Sequence, residues 1–527
     1  MKILSELNAQ ISSSTRLKWA LAVATPIVVG SAGACLYYYY RNGETSAERA
    51  AAEKKAAYLK KLANDPLAKA NDLKNKGNEF FRLNKYEDAL RMYNEAIAVL
   101  PSERTKELAT CYQNKAACYE HLKQFDQVIE DCTKAIENDK LYVKAYLRRG
   151  KANEVLEKYE DATFDFYVAA CSSQFQNSDY ISLLYQVLEK FSFAKANDIV
   201  GKRKQFTFQK YLLRHIVNKF SRDPLKAKFE ELKSNYNEIV TTLLNDNSND
   251  ESLSVDDLLL KGTIEMYIGK HEAGQRKLRK LIDNAEVEVS YKVNALLKLT
   301  EFNFQNNKLE EARRWLTEAE NLDSLNPDVH YIRSQLHIIN KDYDAAMKDL
   351  VSAAELDPKF SCAIGQKLYI EYQQLLMIND IAKKNAALKE FEMAIEKFPK
   401  SNELLLLFFQ VLLSNNEMAK AEGLITKALE NDPEDPTLYV YKALVYIETS
   451  DLEKTREYLD LALKLDPKCS FAYEMLADLC SKLENFKDAL SYLESAINCS
   501  TTFEDVKNLI LKHKTLELQL KAPKFGQ

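Results

Sequence analysis

Five polar residues near the start of the chain, Lys74, Asn78, Asn114, Lys144 and Arg148, have the types and spacing to hold a carboxylate. Lys74 and Asn78 stand four apart in residues 73–78 (LKNKGN), so on a helix they share one face, and Lys144 and Arg148 repeat that interval in VKAYLRRG. A peptide ending in aspartate presents a side-chain and a terminal carboxylate within a few ångströms of each other. Charge-assisted hydrogen bonds from Lys and Arg, with amide donors from the asparagines, can satisfy both. Any one of these residues is ordinary on a solvated helix; the chemistry lies in all of them facing one groove.

That condition depends on the elements that carry them. With residue 70 as position 1, residues 70–101 place Leu73 at 4, Gly77 at 8, Phe80 at 11, Ala89 at 20, Tyr93 at 24, Ala96 at 27 and Pro101 at 32. This is the thirty-four-residue tetratricopeptide pattern. Small residues at 8, 20 and 27 let two antiparallel helices approach, aromatics at 11 and 24 fill the space between them, and proline ends the second helix. The register restarts near 109 and 143, resumes near 255, 293, 327 and 368, and continues at 402, 436 and 470. The predicted fold is an all-α solenoid of such repeats. Glycine and proline, 12 and 11 in 527 residues, are too few for a turn-rich β protein. In each unit the first helix lines the concave side. The five residues take its positions 5 and 9 in the first unit, 6 in the second, and 2 and 6 in the third.

The same positions in the later units give a different surface. Tyr331, Tyr369, Tyr372, Leu406, Leu444 and Phe471 fall there, with Glu403, Glu474 and Asp328 among them. An apolar groove with acidic margins suits basic or hydrophobic polypeptide segments, through burial and electrostatic steering. The competing assignment for each is core between neighbouring units.

Residues 19–40 (WALAVATPIVVGSAGACLYYYY) contain no charge, and at about 1.5 Å per residue they span a bilayer core of roughly 30 Å. Trp19 and Tyr37 to Tyr40 stand where interfacial aromatics belong, with Arg16, Lys18 and Arg41 outside them. A transmembrane anchor is preferred to a cleaved leader because the apolar run continues past the small-residue site at Ala32, Gly33 and Ala34. The basic tail alone would keep the N-terminus in the cytosol. The nine cysteines, odd in number and without a C-x-x-C pair, read instead as buried thiols in a reducing compartment, which puts the repeats there. Net charge of -5 and 29% charged residues describe no nucleic-acid binder.

The expected organisation is a short tail at 1–18, the anchor at 19–40, a polar spacer at 41–69, a three-repeat domain at 70–171, a helical connector at 172–250, a seven-repeat domain at 251–503, and a final helix and tail at 504–527. No H-E-x-x-H, phosphate-cradling glycine loop or G-x-S-x-G is present, and His330 and His337 fall at packing positions, so no enzyme, metal or cofactor is expected.

Position by position, Lys74, Asn78, Asn114, Lys144 and Arg148 resemble the dicarboxylate clamp with which co-chaperones hold the Glu-Glu-Val-Asp tails of the cytosolic seventy- and ninety-kilodalton heat-shock chaperones. With anchor, clamp, connector and long C-terminal block together, the chain resembles the seventy-kilodalton import receptors of the mitochondrial outer-membrane translocase. That resemblance implies chaperone docking at the clamp, mitochondrial preproteins in the later groove, other translocase subunits as partners, and an outer-membrane location with the repeats in the cytosol. A membrane-tethered co-chaperone adaptor elsewhere, such as at the endoplasmic reticulum, is the alternative. The connector matches no motif.

Overall fold

In the computed structural model the described residues are 46–202, 209–232, 236–245, 253–378 and 380–521. The anchor expected at 19–40 and the tail at 1–18 lie outside them. Among the described residues no helix is long and apolar enough to cross a membrane.

All regular structure among these residues is helical, in 26 helices. The chain divides after Val187, within the helix Ser178–Gly201, into two compact units. The first begins with the spacer helix Ser46–Asn64 and contains the helix pairs Pro66–Arg82 with Tyr86–Val99, Thr105–His121 with Phe125–Asn138, and Val143–Val155 with Tyr159–Ser172. Pro66 opens the first helix where no backbone N–H is needed, and the Asp65 carboxylate accepts from Leu67 N at 2.9 Å.

Eight of the pairs are closed by the same turn. Asn84, Lys123 and Glu157, and in the second unit Asn307, Lys341, Asn416, Ser450 and Glu484, adopt φ between 58° and 61°. The next N–H then reaches five residues back, as Lys85 N does to Phe80 O at 3.0 Å and Gln124 N to Tyr119 O at 2.9 Å. This is a Schellman closure, satisfying carbonyls that a helix end leaves open. Within a pair the expected close approach is present: a Cβ on Gly77 would lie 2.6 Å from the Tyr93 ring, and one on Gly150 2.9 Å from Phe166. Ala89, Ala96, Ala116 and Ala135 are all fully buried.

The second unit has seven further pairs, from Val255–Tyr267 with His271–Asp283 to Ser470–Lys482 with Phe486–Cys499, followed by the helix Phe503–Lys521. The pair at Ser361–Ile378 and Ile381–Lys397 has a longer first helix, which accounts for the displaced register there. The segment expected as a connector supplies Lys210–Asn218, Leu225–Leu232 and Tyr236–Asn245 to this unit. Leu213, Val217, Phe220, Phe229 and Leu232 share one buried cluster with Leu259, Ile264, Leu296 and Ile332 of the repeats. These helices therefore belong to the core of the second unit. They pack as single helices on the repeats and do not form pairs of that kind, so no thirty-four-residue register marks them.

Candidate functional site

In the first unit, the first helices of the three pairs stand side by side and carry the five polar residues. Asn78 on Pro66–Arg82 accepts at Oδ1 from Asn114 Nδ2 on Thr105–His121 at 3.1 Å and from the Tyr93 hydroxyl at 2.7 Å. Lys74 Nζ donates to Asn71 Oδ1 at 2.9 Å, one turn before Asn78. On Val143–Val155, Arg148 Nε donates to the Glu120 carboxylate at 2.7 Å and Nη1 to the Gln113 carbonyl at 3.4 Å, both on the middle helix. Lys144 is exposed one turn earlier on the same helix.

The adjacent Arg149 explains why Arg148 faces the groove. Its guanidinium turns inward onto Asp165, with Nη2 to Oδ1 at 2.7 Å and Nε to Oδ2 at 3.0 Å, and Nη1 donates to Thr133 Oγ1 at 3.0 Å. Burial pushes the Asp165 carboxyl up to about 6, with Arg149 opposing it. The rotation of about 100° per residue then directs Arg148 to the other side. The cationic field is felt by the thiols beneath. Burial pushes Cys111 up to about 11 against the pull of Lys74, and Cys118 up to about 12 against that of Arg148.

Glu120 and Gln113 were not among the residues singled out from the sequence. They occupy positions 12 and 5 of the second unit's first helix, the positions that line the groove elsewhere, so the repeat register held the signal. Glu120 places a carboxylate directly on Arg148.

The second unit contains a cavity of about 460 Å³ whose lining includes Tyr331, Glu403 and Leu406. Tyr267, Glu301 and Tyr441 are also on its repeat side, and Leu212, His215, Ile216 and Lys219 of the helix Lys210–Asn218 and its next residue form the other. Glu301 accepts from Lys219 Nζ at 2.5 Å, while its other oxygen is buried without a hydrogen-bond partner.

The remaining groove candidates sit elsewhere. Tyr372 is 1% exposed and donates to Asn415 Oδ1 at 2.6 Å inside the inter-repeat core, because its helix is long enough to carry that turn under the next pair. Tyr369 and Leu444 pack half-buried against the inter-repeat clusters. Phe471 meets the Tyr441 ring edge-on at 5.2 Å and so stands behind the cavity wall. Glu474 is paired with Lys512 of the last helix at 2.6 Å. Asp328 is 2% exposed and accepts from the backbone N–H groups of Ser221 and Arg222; burial pushes it up to about 6 despite those donors. His330 and His337 both reach Asp349, which Arg333 also grips, so they belong to an ion cluster more than to apolar packing. Among the described residues no His, Cys, Asp or Glu group has the arrangement of a metal site.

Comparison with known proteins follows the same division. The tetratricopeptide repeat family matches residues 109–140 and 327–360, and the family described as anaphase-promoting complex, cyclosome, subunit 3 matches 414–496. The Hsp70-Hsp90 organizing protein of Triticum aestivum is 32% identical over 130 residues, 25% of this chain and 21% of that one. The crystal structure of the yeast Tom70 matches with a TM-score of 0.40 at 24% identity, covering 86% of this chain and 96% of that chain. The mitochondrial import receptor subunit TOM70 of Rattus norvegicus is 30% identical over 474 residues, 84% of this chain and 78% of the relative. Similarity of that extent, running through both units, makes the chain a member of the mitochondrial import receptor subunit TOM70 family.

Proposed function

We propose that this chain is an import receptor of the mitochondrial outer membrane that docks cytosolic heat-shock chaperones and receives the preproteins they deliver. Chaperone tails ending in Glu-Glu-Val-Asp bind Lys74, Asn78, Asn114, Lys144 and Arg148, and preproteins bind in the second unit. The observation that carries the reading is the Arg148–Glu120 pair at 2.7 Å beside the hydrogen-bonded Asn78 and Asn114. In the peptide-free chain the cradle already holds a carboxylate. The family relationship supports the receptor reading over the bare adaptor, and the wheat relative named for two heat-shock chaperones supports the docking partner.

Tyr331, Glu403 and Leu406 contact the preprotein from the cavity wall, Phe471 supports Tyr441 of that wall from behind, and Tyr369, Tyr372, Leu444 and Glu474 serve the repeat packing and the pairing with the last helix. Residues 19–40 anchor the chain in the membrane with both units in the cytosol; 70–171 is the clamp domain, and the preprotein-binding block is 251–503 together with the helices Lys210–Asn218, Leu225–Leu232 and Tyr236–Asn245 packed on it. Binding of a tail peptide with a free terminal carboxylate, and its loss on amidation, tests the clamp; equal binding of both forms overturns it. A peptide scan of precursor sequences against the full chain tests the second unit, since an adaptor would capture none. Alkaline carbonate extraction of the full chain tests the anchor: recovery in the soluble fraction would overturn it.

A further inference from the structure

The helix Lys210–Asn218 has the chemistry of a ligand. Its sequence, KYLLRHIVN, is amphipathic and basic. Leu213, Ile216 and Val217 face the core, with Phe220 just beyond. The opposite face carries Lys210, Tyr211, Arg214 and His215, and each meets a carboxylate at the edge of the last repeats. Lys210 pairs with Glu434 at 3.2 Å, Arg214 with Asp432, and His215 Nε2 with Asp435 Oδ2 at 2.8 Å; the Tyr211 hydroxyl donates to Asp466 Oδ2 at 2.7 Å. These contacts join residues more than two hundred positions apart, as with the 255 separating Tyr211 from Asp466.

The seat is built from buried acids. Asp432, Asp435 and Asp466 are 5%, 1% and 3% exposed. Asp435 is already committed to the helix it caps, where it accepts from Thr437 N at 2.9 Å. Asp432 retains a buried oxygen with no hydrogen-bond partner, so the seat has an acceptor beyond those the helix uses. The cavity described above continues from the same helix, through Leu212, His215 and Ile216, to Glu403 and the unpartnered oxygen of Glu301.

The two ends of the segment are held differently. Toward the C-terminal end, Asp223 is fused to Lys298 in an ion pair with both side chains at most 1% exposed, and Ser221 and Arg222 are bound through backbone N–H groups. Toward the N-terminal end, the cationic head groups are 21% to 39% exposed and can exchange without moving the apolar face.

We propose that Lys210–Asn218 is a built-in occupant of an acidic seat formed by Asp432, Asp435 and Asp466, and that a basic amphipathic helix of a precursor competes with Lys210, Arg214 and His215 for it. This rests on the reading of the second unit as the preprotein-binding block. The helix gives Asp432 a guanidinium, Asp435 an imidazolium when His215 is protonated, and Asp466 a neutral hydroxyl donor, and client cations replace its charged groups one for one. A client with cations at i and i+4 matches the spacing of Lys210 and Arg214; an apolar segment without cations uses the cavity alone.

The test uses the full chain in detergent and two synthetic helical peptides of equal length. One bears Lys at i and i+4 beside an apolar face; in the other those lysines are Gln. Arg214→Gln should raise affinity for the lysine peptide about two- to five-fold, the range for freeing one partly exposed charge. Asp432→Asn should lower it by a similar factor, and neither should alter binding of the Gln peptide. Tyr211→Phe, which removes only a hydroxyl, should act in the direction of Arg214→Gln and serves if that variant fails to fold. Unchanged or weaker lysine-peptide binding by folded Arg214→Gln or Tyr211→Phe overturns the proposal while leaving precursor binding in place. If neither peptide nor any scanned precursor binds the wild-type chain or the variants, the preprotein-binding reading falls as well.

Discussion

On the proposed clamp reading, Glu120 is an internal competitor for Arg148, and its removal should strengthen tail binding. Arg148 and Glu120 are 22% and 37% exposed, so their ion pair is screened and contributes about 0.5–1 kcal/mol. A tail carboxylate reaching Arg148 must break or share that pair. Glu120→Gln should therefore raise affinity by up to about five-fold. Arg148→Ala removes one partner of a hydrogen-bonded charge pair in the complex and should cost at least about 2 kcal/mol, or about thirty-fold. The two changes are coupled: in the Arg148→Ala background, Glu120→Gln should add almost nothing, because the contact it releases is gone. Fluorescence anisotropy with a labelled peptide ending in free Glu-Glu-Val-Asp measures all four corners of the cycle, and circular dichroism should report unchanged helicity throughout. An undiminished gain in the Arg148→Ala background would refute the reasoning, since it would mean that Glu120 acts by general repulsion and not by occupying Arg148.

Three further perturbations probe the scaffold. Gly77→Ala drives a Cβ into the Tyr93 ring, whose hydroxyl holds Asn78, so it should destabilise the first unit by about 1–3 kcal/mol in thermal melts and weaken tail binding at a site it does not touch. Lys298→Met leaves Asp223 buried without its cation and should cost about 3–5 kcal/mol in urea denaturation; adding Asp223→Asn should recover part of it. Burial pushes the His215 imidazolium down, but the hydrogen bond and charge of Asp435, with Glu403, outweigh it and leave its pKa raised. Its stabilisation is thus complete below the ordinary imidazole pKa and fades as pH rises through the raised folded-state value. Urea midpoints at about pH 6 and about pH 9 should converge when His215→Asn is compared with wild type at the higher pH and separate at the lower.

The repeat pattern was legible because each unit solves its packing locally. Gly77 and Tyr93, sixteen residues apart, dictate one another whatever the rest of the chain does. The meeting of Asn78 and Asn114 across two first helices was legible for the same reason, since a helix position in a repeat fixes which way a side chain faces. Tyr372 was not: its position in the register suggests the groove, but the helix Ser361–Ile378 is longer than its counterparts and carries it into the core. Nor was the role of Lys210–Asn218. Its partners, from Asp432 to Asp466, are distant in sequence, and no local period encodes a contact across that interval. The acids themselves were partly visible. Asp328 stood out as a groove acid, but only the fold reveals that the chain's own backbone has claimed it.

That long-range seat also imposes an order on synthesis. Each tetratricopeptide pair is built from contacts close in sequence and can form soon after it leaves the ribosome, as local contacts fold quickly. Tyr211 must wait for Asp466, 255 residues later, which at about 5–20 residues per second is on the order of tens of seconds. Throughout that interval a basic amphipathic helix is present without its acids. The nascent receptor thus exposes the kind of segment for which chaperones act, before it has completed the block with which it would receive such segments from others.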